Sequence, residues 1–124
     1  MTNFKVLVVD DDSDLTFLIR QRLESKGFEV RTANAAEDGY AAFLSFRPDL
    51  VITDIELGGE INGLHLIDNV RSFAPNMRAI YITGDLSRYR AALEKERKKF
   101  RADFMEKPFA GSDLMRLVCA QEQG

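Results

Sequence analysis

The chain has 124 residues, which is enough for one domain of ordinary size and excludes a catalytic domain joined to a DNA-binding domain. Hydrophobic residues make up 45% of the chain and charged residues 30%, a balance that provides a core and excludes a disordered tail. The formal net charge of −3 argues against general binding to nucleic acids or membrane surfaces, and the single cysteine excludes an internal disulfide.

Short apolar runs rich in strand-forming residues alternate with longer segments of helical period. The five predicted strands are residues 4–10, 28–32, 50–54, 79–83 and 102–106. Parallel strands need right-handed crossover connections, and helices must cover both faces of the resulting sheet. The sequence therefore predicts an α/β fold with a doubly wound parallel sheet.

Capping residues, glycine and proline mark the predicted helix ends. The predicted helices are residues 14–26, closed by Gly27; residues 35–46, stopping before Pro48; a third that starts after Asn62 and ends before Pro75; residues 86–100; and a fifth that starts at Ser112 or Asp113. Each helix should bury one apolar stripe against the sheet.

Residues at helical spacing define these stripes. They are Leu15, Leu18, Ile19 and Leu23 in the first helix, Leu66, Ile67, Val70 and Phe73 in the third, and Leu114, Leu117 and Val118 in the fifth. Phe17 falls on the opposite face of the first helix. We therefore expect Phe17 to be exposed.

Carboxylates, a hydroxyl and a lysine stand at the ends of four predicted strands. They are Asp10, Asp11 and Asp12 after the first, Asp54 after the third, Thr83 after the fourth and Lys107 after the fifth. In doubly wound folds the carboxyl ends of the strands form the binding edge. Carboxylates brought together there repel one another by about 4 kcal/mol per pair at 4 Å for an effective dielectric of about 20. The cluster therefore calls for positive charge, which Lys107 and a hard divalent cation such as Mg²⁺ would supply.

These residues resemble the receiver domain of two-component response regulators over nearly the whole chain. The motifs that carry the resemblance are Val8-Val9-Asp10-Asp11, Asp54, Thr83-Gly84 and Glu106-Lys107-Pro108-Phe109, in the family's order and at roughly its spacing. The resemblance implies a (βα)5 flavodoxin-like three-layer sandwich with strand order 2-1-3-4-5, and a single receiver domain over residues 1–124. It implies a regulatory domain that catalyses only its own phosphorylation and dephosphorylation.

By that resemblance Asp54 is the phosphoacceptor, a carboxylate nucleophile that takes a phosphoryl group from a phosphohistidine. Mg²⁺ would be the cofactor, held by Asp10, Asp11, Asp54 and the backbone carbonyl of Glu56. Lys107 would offset charge on the migrating group, and Thr83 would bind a phosphate oxygen. Positioning and charge neutralisation are the main demands of phosphoryl transfer.

The family also implies a switch and a partner surface. Phe104 stands where the family has an aromatic whose rotamer follows Thr83, and Phe17, Pro108 and Phe109 would contact the partner. The expected donor is a histidine kinase or a histidine phosphotransfer protein, with no DNA contact by this chain. The resemblance further implies a cis bond between Lys107 and Pro108.

The segment of residues 54–63 is one residue longer than the family's commonest loop, and Gly58 stands where a proline is expected. The stretch from Thr83 to Lys107 is about two residues longer than usual. It includes residues 88–101, which hold seven basic and two acidic side chains. Such a run is either a solvated helix face or a docking surface for an acidic protein.

Three other functions match parts of this pattern. A haloacid-dehalogenase-like phosphatase would use Asp10 as its nucleophile, but it would leave Asp54 without a role. A flavodoxin would need a phosphate-binding loop after the first strand, where this chain has carboxylates. A phosphorylation-independent interaction module on the same fold would usually lack Asp54 or Lys107, and both are present.

The remaining reactive side chains fit ordinary roles. His65 is the lone histidine and points away from the apolar face of its helix, so it is expected at the surface. Cys119 is expected to pack as a small apolar group. The first residues lack the apolar run of a signal peptide, and no stretch reaches the length of a membrane span, so a cytoplasmic location is expected.

Overall fold

Strands and helices alternate along the whole of residues 4–122, the part of the chain that the computed structural model describes. The strands are β1 (Lys5–Val9), β2 (Glu29–Ala33), β3 (Leu50–Asp54), β4 (Arg78–Thr83) and β5 (Ala102–Glu106). The helices are α1 (Ser13–Ser25), α2 (Ala36–Phe46), α3 (Gly63–Phe73), α4 (Leu86–Lys99) and α5 (Gly111–Glu122). All strand pairs are parallel and their order is β2-β1-β3-β4-β5, which confirms the predicted topology.

The central strands are buried because helices cover both of their faces. Every residue of β3 and β4 is buried, whereas the edge strand β2 has exposed residues at Glu29 and Arg31. Side chains on one face of the sheet, such as Leu7 and Val51, form a core with α2, α3 and α4. Those on the other face, such as Val8 and Ile52, form a second core with α1 and α5.

Side-chain caps fix the starts of α1, α3 and α4, and in α4 the Asp85 side chain accepts from the Arg88 N–H. Asp12 caps α1 by accepting hydrogen bonds from the backbone N–H groups of Asp14 and Leu15. Asn62 caps α3 as predicted, and it accepts from the backbone N–H of His65 at 3.0 Å. His65 is exposed as expected, but its ring also accepts a hydrogen bond from the Asn62 N–H at 3.3 Å, a role that was not predicted.

Two predicted core positions are wrong. Leu18 is 58% exposed, because the buried stripe of α1 runs through Thr16, Ile19 and Leu23 and leaves Leu18 beside it. Phe73 is 66% exposed, because it is the last residue of α3 and extends past the sheet. The α3 position that turns inward there is Arg71 instead.

The boundaries of β3 and β5 match the prediction, and those of the other elements lie within one or two residues of it. Helix α5 begins at Gly111, just before the predicted start, and buries Leu114 and Val118 while Leu117 is half-buried. No helix within the described residues is long and apolar enough to cross a membrane.

Candidate functional site

The carboxyl edge of the sheet collects the predicted site residues. Asp10 directly follows β1, Asp54 ends β3, Thr83 ends β4 and Lys107 directly follows β5. Parallel pairing aligns these ends, since Asp54 pairs with Ile82 of β4. Asp10, Asp54 and Thr83 are all buried, and the Asp54 residue is only 3% exposed.

Lys107 bridges the two buried carboxylates. Its Nζ lies 3.0 Å from Asp10 Oδ2 and 3.3 Å from Asp54 Oδ2. The backbone N–H of Lys107 donates to the Thr83 carbonyl at 2.8 Å, which fixes the base of the lysine side chain at the strand ends. The bond between Lys107 and Pro108 is cis, as predicted.

Burial and charge perturb the ionisation of Asp54. Burial and the neighbouring Asp10 carboxylate raise the pKa of Asp54 from 3.8 to about 7, against the opposing effect of Lys107. For Lys107, burial lowers the pKa, but the hydrogen bond and charge of Asp10 and the charge of Asp54 outweigh it, so the pKa is raised overall. The site is therefore short of positive charge at neutral pH.

The acidic cluster fits a hard divalent cation. Asp10, Asp11 and Asp54 each offer a carboxylate oxygen, and these oxygens lie within 4.8 Å of one another. Asp54 Oδ1 is buried and has no hydrogen-bond partner among the described residues. Asp11 is exposed, so the cluster opens to solvent on one side. Oxygen donors with an open side suit Mg²⁺, which keeps several waters when it binds proteins.

The loop between β3 and α3 is packed closely against Asp54. Ile55 and Leu57 are buried, and the Gly63 N–H donates to the Ile55 carbonyl at 2.9 Å. A Cβ at Gly63 would lie 2.2 Å from the Asp54 carbonyl oxygen, so only glycine fits there. Gly58 has φ of 62°, a value that proline cannot adopt, so this loop conformation has no place for the proline expected at this position.

Glu56 contributes its side chain to the site, which sequence reasoning missed. Its Oε2 accepts a hydrogen bond from the Thr83 hydroxyl at 2.7 Å, and its Oε1 lies 3.5 Å from the Gly84 N–H. The sequence motif assigned only the backbone carbonyl of Glu56 to the site. No sequence signal pointed to the side chain, because the contact spans 27 positions of the chain.

The predicted switch aromatic is held by a cation. Phe104 is half-buried at the edge of the core, and the Arg97 guanidinium lies 4.8 Å from its ring centroid. Arg97 also lies 3.7 Å from Asp103, the neighbour of Phe104. A change of the Phe104 rotamer would therefore disturb Arg97 on α4.

A second interaction that sequence reasoning missed ties α3, α4 and β4 together. Arg71 of α3 pairs with Glu96 of α4 at 2.8 Å, and the Tyr81 hydroxyl donates to the same Glu96 oxygen. Burial, together with the hydrogen bond to Glu96, raises the pKa of Tyr81. Arg71 also stacks on Phe100, 4.0 Å from the ring centroid. The ion pair between Arg71 and Glu96 thus holds α4 against α3.

The predicted partner residues lie near a surface cleft of about 370 Å³ between α1 and the start of α5. Phe109 and Leu18 line it, and Phe17 is exposed nearby on α1. Pro108 is exposed as well. Their contact with a partner stays a prediction.

Sequence comparison gives one family match and several relatives. The model of the response regulator receiver domain matches residues 6–119. The nitrogen assimilation regulatory protein NtrX of Azorhizobium caulinodans is 33% identical over 89% of this chain, and the DNA-binding transcriptional regulator NtrC of Azospirillum brasilense is 32% identical over 99% of it. The matched region is 24% of the length of each of these relatives.

Solved structures agree with the sequence matches. The receiver domain of NtrX from Brucella abortus is 34% identical, with a TM-score of 0.79 over 94% of this chain and 95% of that one. A CheY-like receiver domain protein from Methanospirillum hungatei JF-1 is 27% identical, with a TM-score of 0.84 over 97% and 94% of the two chains.

Proposed function

This chain belongs to the response regulator receiver domain family, and from that premise we propose that it accepts a phosphoryl group on Asp54 and thereby changes its partner-binding surface. Receiver domains act as phosphorylation-controlled switches in two-component signalling. The observation that carries the assignment to Asp54 is its geometry. The carboxylate is buried at the end of the central strand, beside Lys107 and two further carboxylates, with Oδ1 free of any partner among the described residues.

The proposed reaction forms one bond and breaks another. An Asp54 carboxylate oxygen attacks the phosphorus of a phosphohistidine, the P–N bond breaks, and its electron pair stays on the imidazole nitrogen of the donor. Lys107 lies 3.3 Å from Asp54 Oδ2 and is placed to offset negative charge on the phosphoryl oxygens. Thr83 ends the neighbouring strand and is assigned the hydroxyl that binds one of these oxygens. Phe104, one strand further, would then follow Thr83.

Mg²⁺ is proposed as the cofactor, held by Asp10, Asp11, Asp54 and the Glu56 carbonyl. When bound, it would supply the positive charge that the carboxylate cluster lacks. The surrounding residues contribute independently of the metal. The Asp12 N–H donates to Asp10 Oδ1 at 3.0 Å and the Asn34 amide donates to the Asp10 carbonyl at 3.1 Å, so Asp10 is held in place.

The donor is proposed to be a histidine kinase or a histidine phosphotransfer protein, received through Phe17, Pro108 and Phe109. We propose that residues 1–124 act as one receiver unit. One relative is by name a DNA-binding regulator, but the matched region is a quarter of its length. DNA binding is not proposed for this segment, whose formal charge is −3.

A dehalogenase-like phosphatase is disfavoured by the same geometry. Its motif would need Asp12 as well as Asp10, but the Asp12 carboxylate accepts hydrogen bonds that cap α1. An interaction module independent of phosphorylation is disfavoured because Asp54 and Lys107 are both present and in contact.

Incubation with acetyl phosphate and Mg²⁺ tests the proposal without a cognate kinase. The protein is expected to gain one phosphoryl group, measured by intact mass spectrometry, and to gain none in EDTA. Borohydride reduction turns an aspartyl phosphate into homoserine, so peptide mapping should find homoserine at position 54. Labelling at another carboxylate, or none in wild type, would contradict the assignment. A phosphotransfer profile against phosphorylated kinases and phosphotransfer proteins then identifies the physiological donor.

A further inference from the structure

The one proton of the Thr83 hydroxyl is committed within the protein. It donates its one proton to Glu56 Oε2 at 2.7 Å, and its oxygen accepts from the Asp85 N–H at 2.9 Å. Thr83 is fully buried, whereas the Glu56 side chain that accepts its proton is half-buried and reaches solvent. The Gly84 N–H also faces the Glu56 carboxylate, at the longer distance of 3.5 Å. The Glu56 carboxylate thus faces the Thr83 hydroxyl and the Gly84 N–H, two hydrogen-bond donors that could also bind the oxygen of another anion.

The proposed function needs the same proton. A phosphoryl oxygen on Asp54 would bind Thr83 through the hydroxyl proton, and one proton cannot serve both acceptors at full strength. Resting on that proposed function, we infer that Glu56 occupies the place of a phosphoryl oxygen before phosphorylation and must release Thr83 for the switch to engage. Glu56 is therefore a positioning residue that opposes phosphorylation.

The negative charge of Glu56 also opposes phosphorylation of Asp54. A phosphoryl group brings about −1.5 to −2 of charge at pH 7, and Glu56 follows Asp54 by two residues. The phosphoryl group and the Glu56 carboxylate would then repel each other across the Thr83 hydroxyl. Lys107 is already shared between Asp10 and Asp54, so it does not compensate Glu56.

The surrounding backbone lets the side chain move alone. Ile55 and Leu57, on either side of Glu56, are buried in the core, whereas Glu56 itself is only half-buried. The Ile55 N–H and carbonyl are also hydrogen-bonded, to Ile82 and Gly63. Release of Thr83 therefore requires rotation of the Glu56 side chain and no rearrangement of the loop.

Rates of labelling by acetyl phosphate in Mg²⁺ test this inference. Glu56→Ala removes both the competing acceptor and the charge, and it is expected to label about three- to tenfold faster than wild type, the range set by one charged hydrogen bond that is partly solvated. Glu56→Gln keeps a hydrogen-bond acceptor and loses the charge, so its labelling rate should fall between those of wild type and Glu56→Ala. Glu60→Ala is the matched control, since it removes an exposed carboxylate from the same loop, and it should label at the wild-type rate.

Thr83→Ala separates competition for the hydroxyl from charge alone. In that background Glu56→Ala should accelerate labelling less than it does when Thr83 is present, because the contested proton is gone and only the effect of the charge remains. In the metal-free, unphosphorylated protein, Glu56→Gln should shift the amide NMR resonances of Gly84 and Asp85, whereas Glu60→Gln should leave them in place.

The possible failures are distinguishable. If wild type takes up no phosphoryl group at Asp54, the proposed function fails. If wild type labels there and Glu56→Ala labels no faster, the role of Glu56 is overturned while the function stands. The same holds if Glu56→Ala is accelerated equally with and without the Thr83 hydroxyl, because Glu56 would then act by charge alone.

Discussion

Asp54→Asn is expected to take up no phosphoryl group from acetyl phosphate and, in EDTA at pH 8, to be more stable than wild type by about 2 kcal/mol or more. Loss of labelling follows from the proposed role of Asp54 as acceptor. The gain in stability follows because the raised pKa of about 7 means that the fold opposes ionisation of Asp54.

The sign of the pH dependence follows from proton binding. In the unfolded chain Asp54 releases its proton near its ordinary pKa of 3.8, whereas in the fold it keeps the proton up to about pH 7. Between these values the folded state binds more protons, so wild type loses stability as pH rises, and the loss is complete above the folded pKa. Asn does not titrate. The stability advantage of Asp54→Asn should therefore grow by about 2 to 3 kcal/mol from pH 5 to pH 8.

Chemical unfolding of both proteins at pH 5 and pH 8 measures this difference. Asp68→Asn is the control, since it removes an exposed carboxylate from α3 and should show no such growth. Mg²⁺ at one hundred times its Kd should stabilise wild type by about 2.7 kcal/mol, and Asp54→Asn by less. Two results together would contradict this prediction: Mg²⁺ does not stabilise wild type, and Asp54→Asn is less stable than wild type at pH 8 in EDTA. The carboxylates would then not form one cation site.

Arg71→Met is expected to destabilise the fold by about 3 kcal/mol, because it leaves Glu96 among buried groups without its cation. The Arg71 side chain is 6% exposed and that of Glu96 is 15% exposed, so water compensates little for the loss. Methionine retains much of the apolar stem that packs against Phe100. The main loss is therefore electrostatic.

Urea unfolding should separate this buried pair from the exposed pairs of α4. Arg90 and Glu94 lie 3.9 Å apart on the surface, and Arg90→Met should cost less than about 1 kcal/mol. Adding Glu96→Gln to Arg71→Met should restore part of the stability, since the uncompensated charge is removed. If the double variant is as unstable as Arg71→Met, the loss comes from packing and not from charge.

The site was predictable where chain position determines geometry. Parallel strands bring Asp10, Asp54, Thr83 and Lys107 to one edge of the sheet for any loop conformation. The alternation of strands and helices is predicted by the period of the hydrophobic residues. Leu50–Asp54 and Ala102–Glu106 were therefore predicted to the residue. The roles assigned to these side chains remain predictions until labelling is measured.

The unpredicted features depend on contacts between polar residues far apart in the chain. Arg71 and Arg78 are both buried, although a hydrophobic pattern counts every arginine as a surface residue. Arg71 is buried because Glu96 faces it from another helix, and Arg78 donates to the carbonyls of Leu117 and Val118 in α5. Leu18 and Phe73 show the converse error, since period alone does not reveal where a helix leaves the sheet.

The bridge that Lys107 forms between Asp10 and Asp54 also determines its reactivity toward acylating reagents. Only an unprotonated amine attacks an acyl group, and the raised pKa of Lys107 keeps its nitrogen protonated and hydrogen-bonded. Lys98 and Lys99 are exposed on α4, where a reagent can reach them. Acetyl phosphate, which donates acetyl as well as phosphoryl groups, should therefore acetylate α4 before it reaches Lys107, so that covalent damage collects on the basic helix and spares the phosphorylation site.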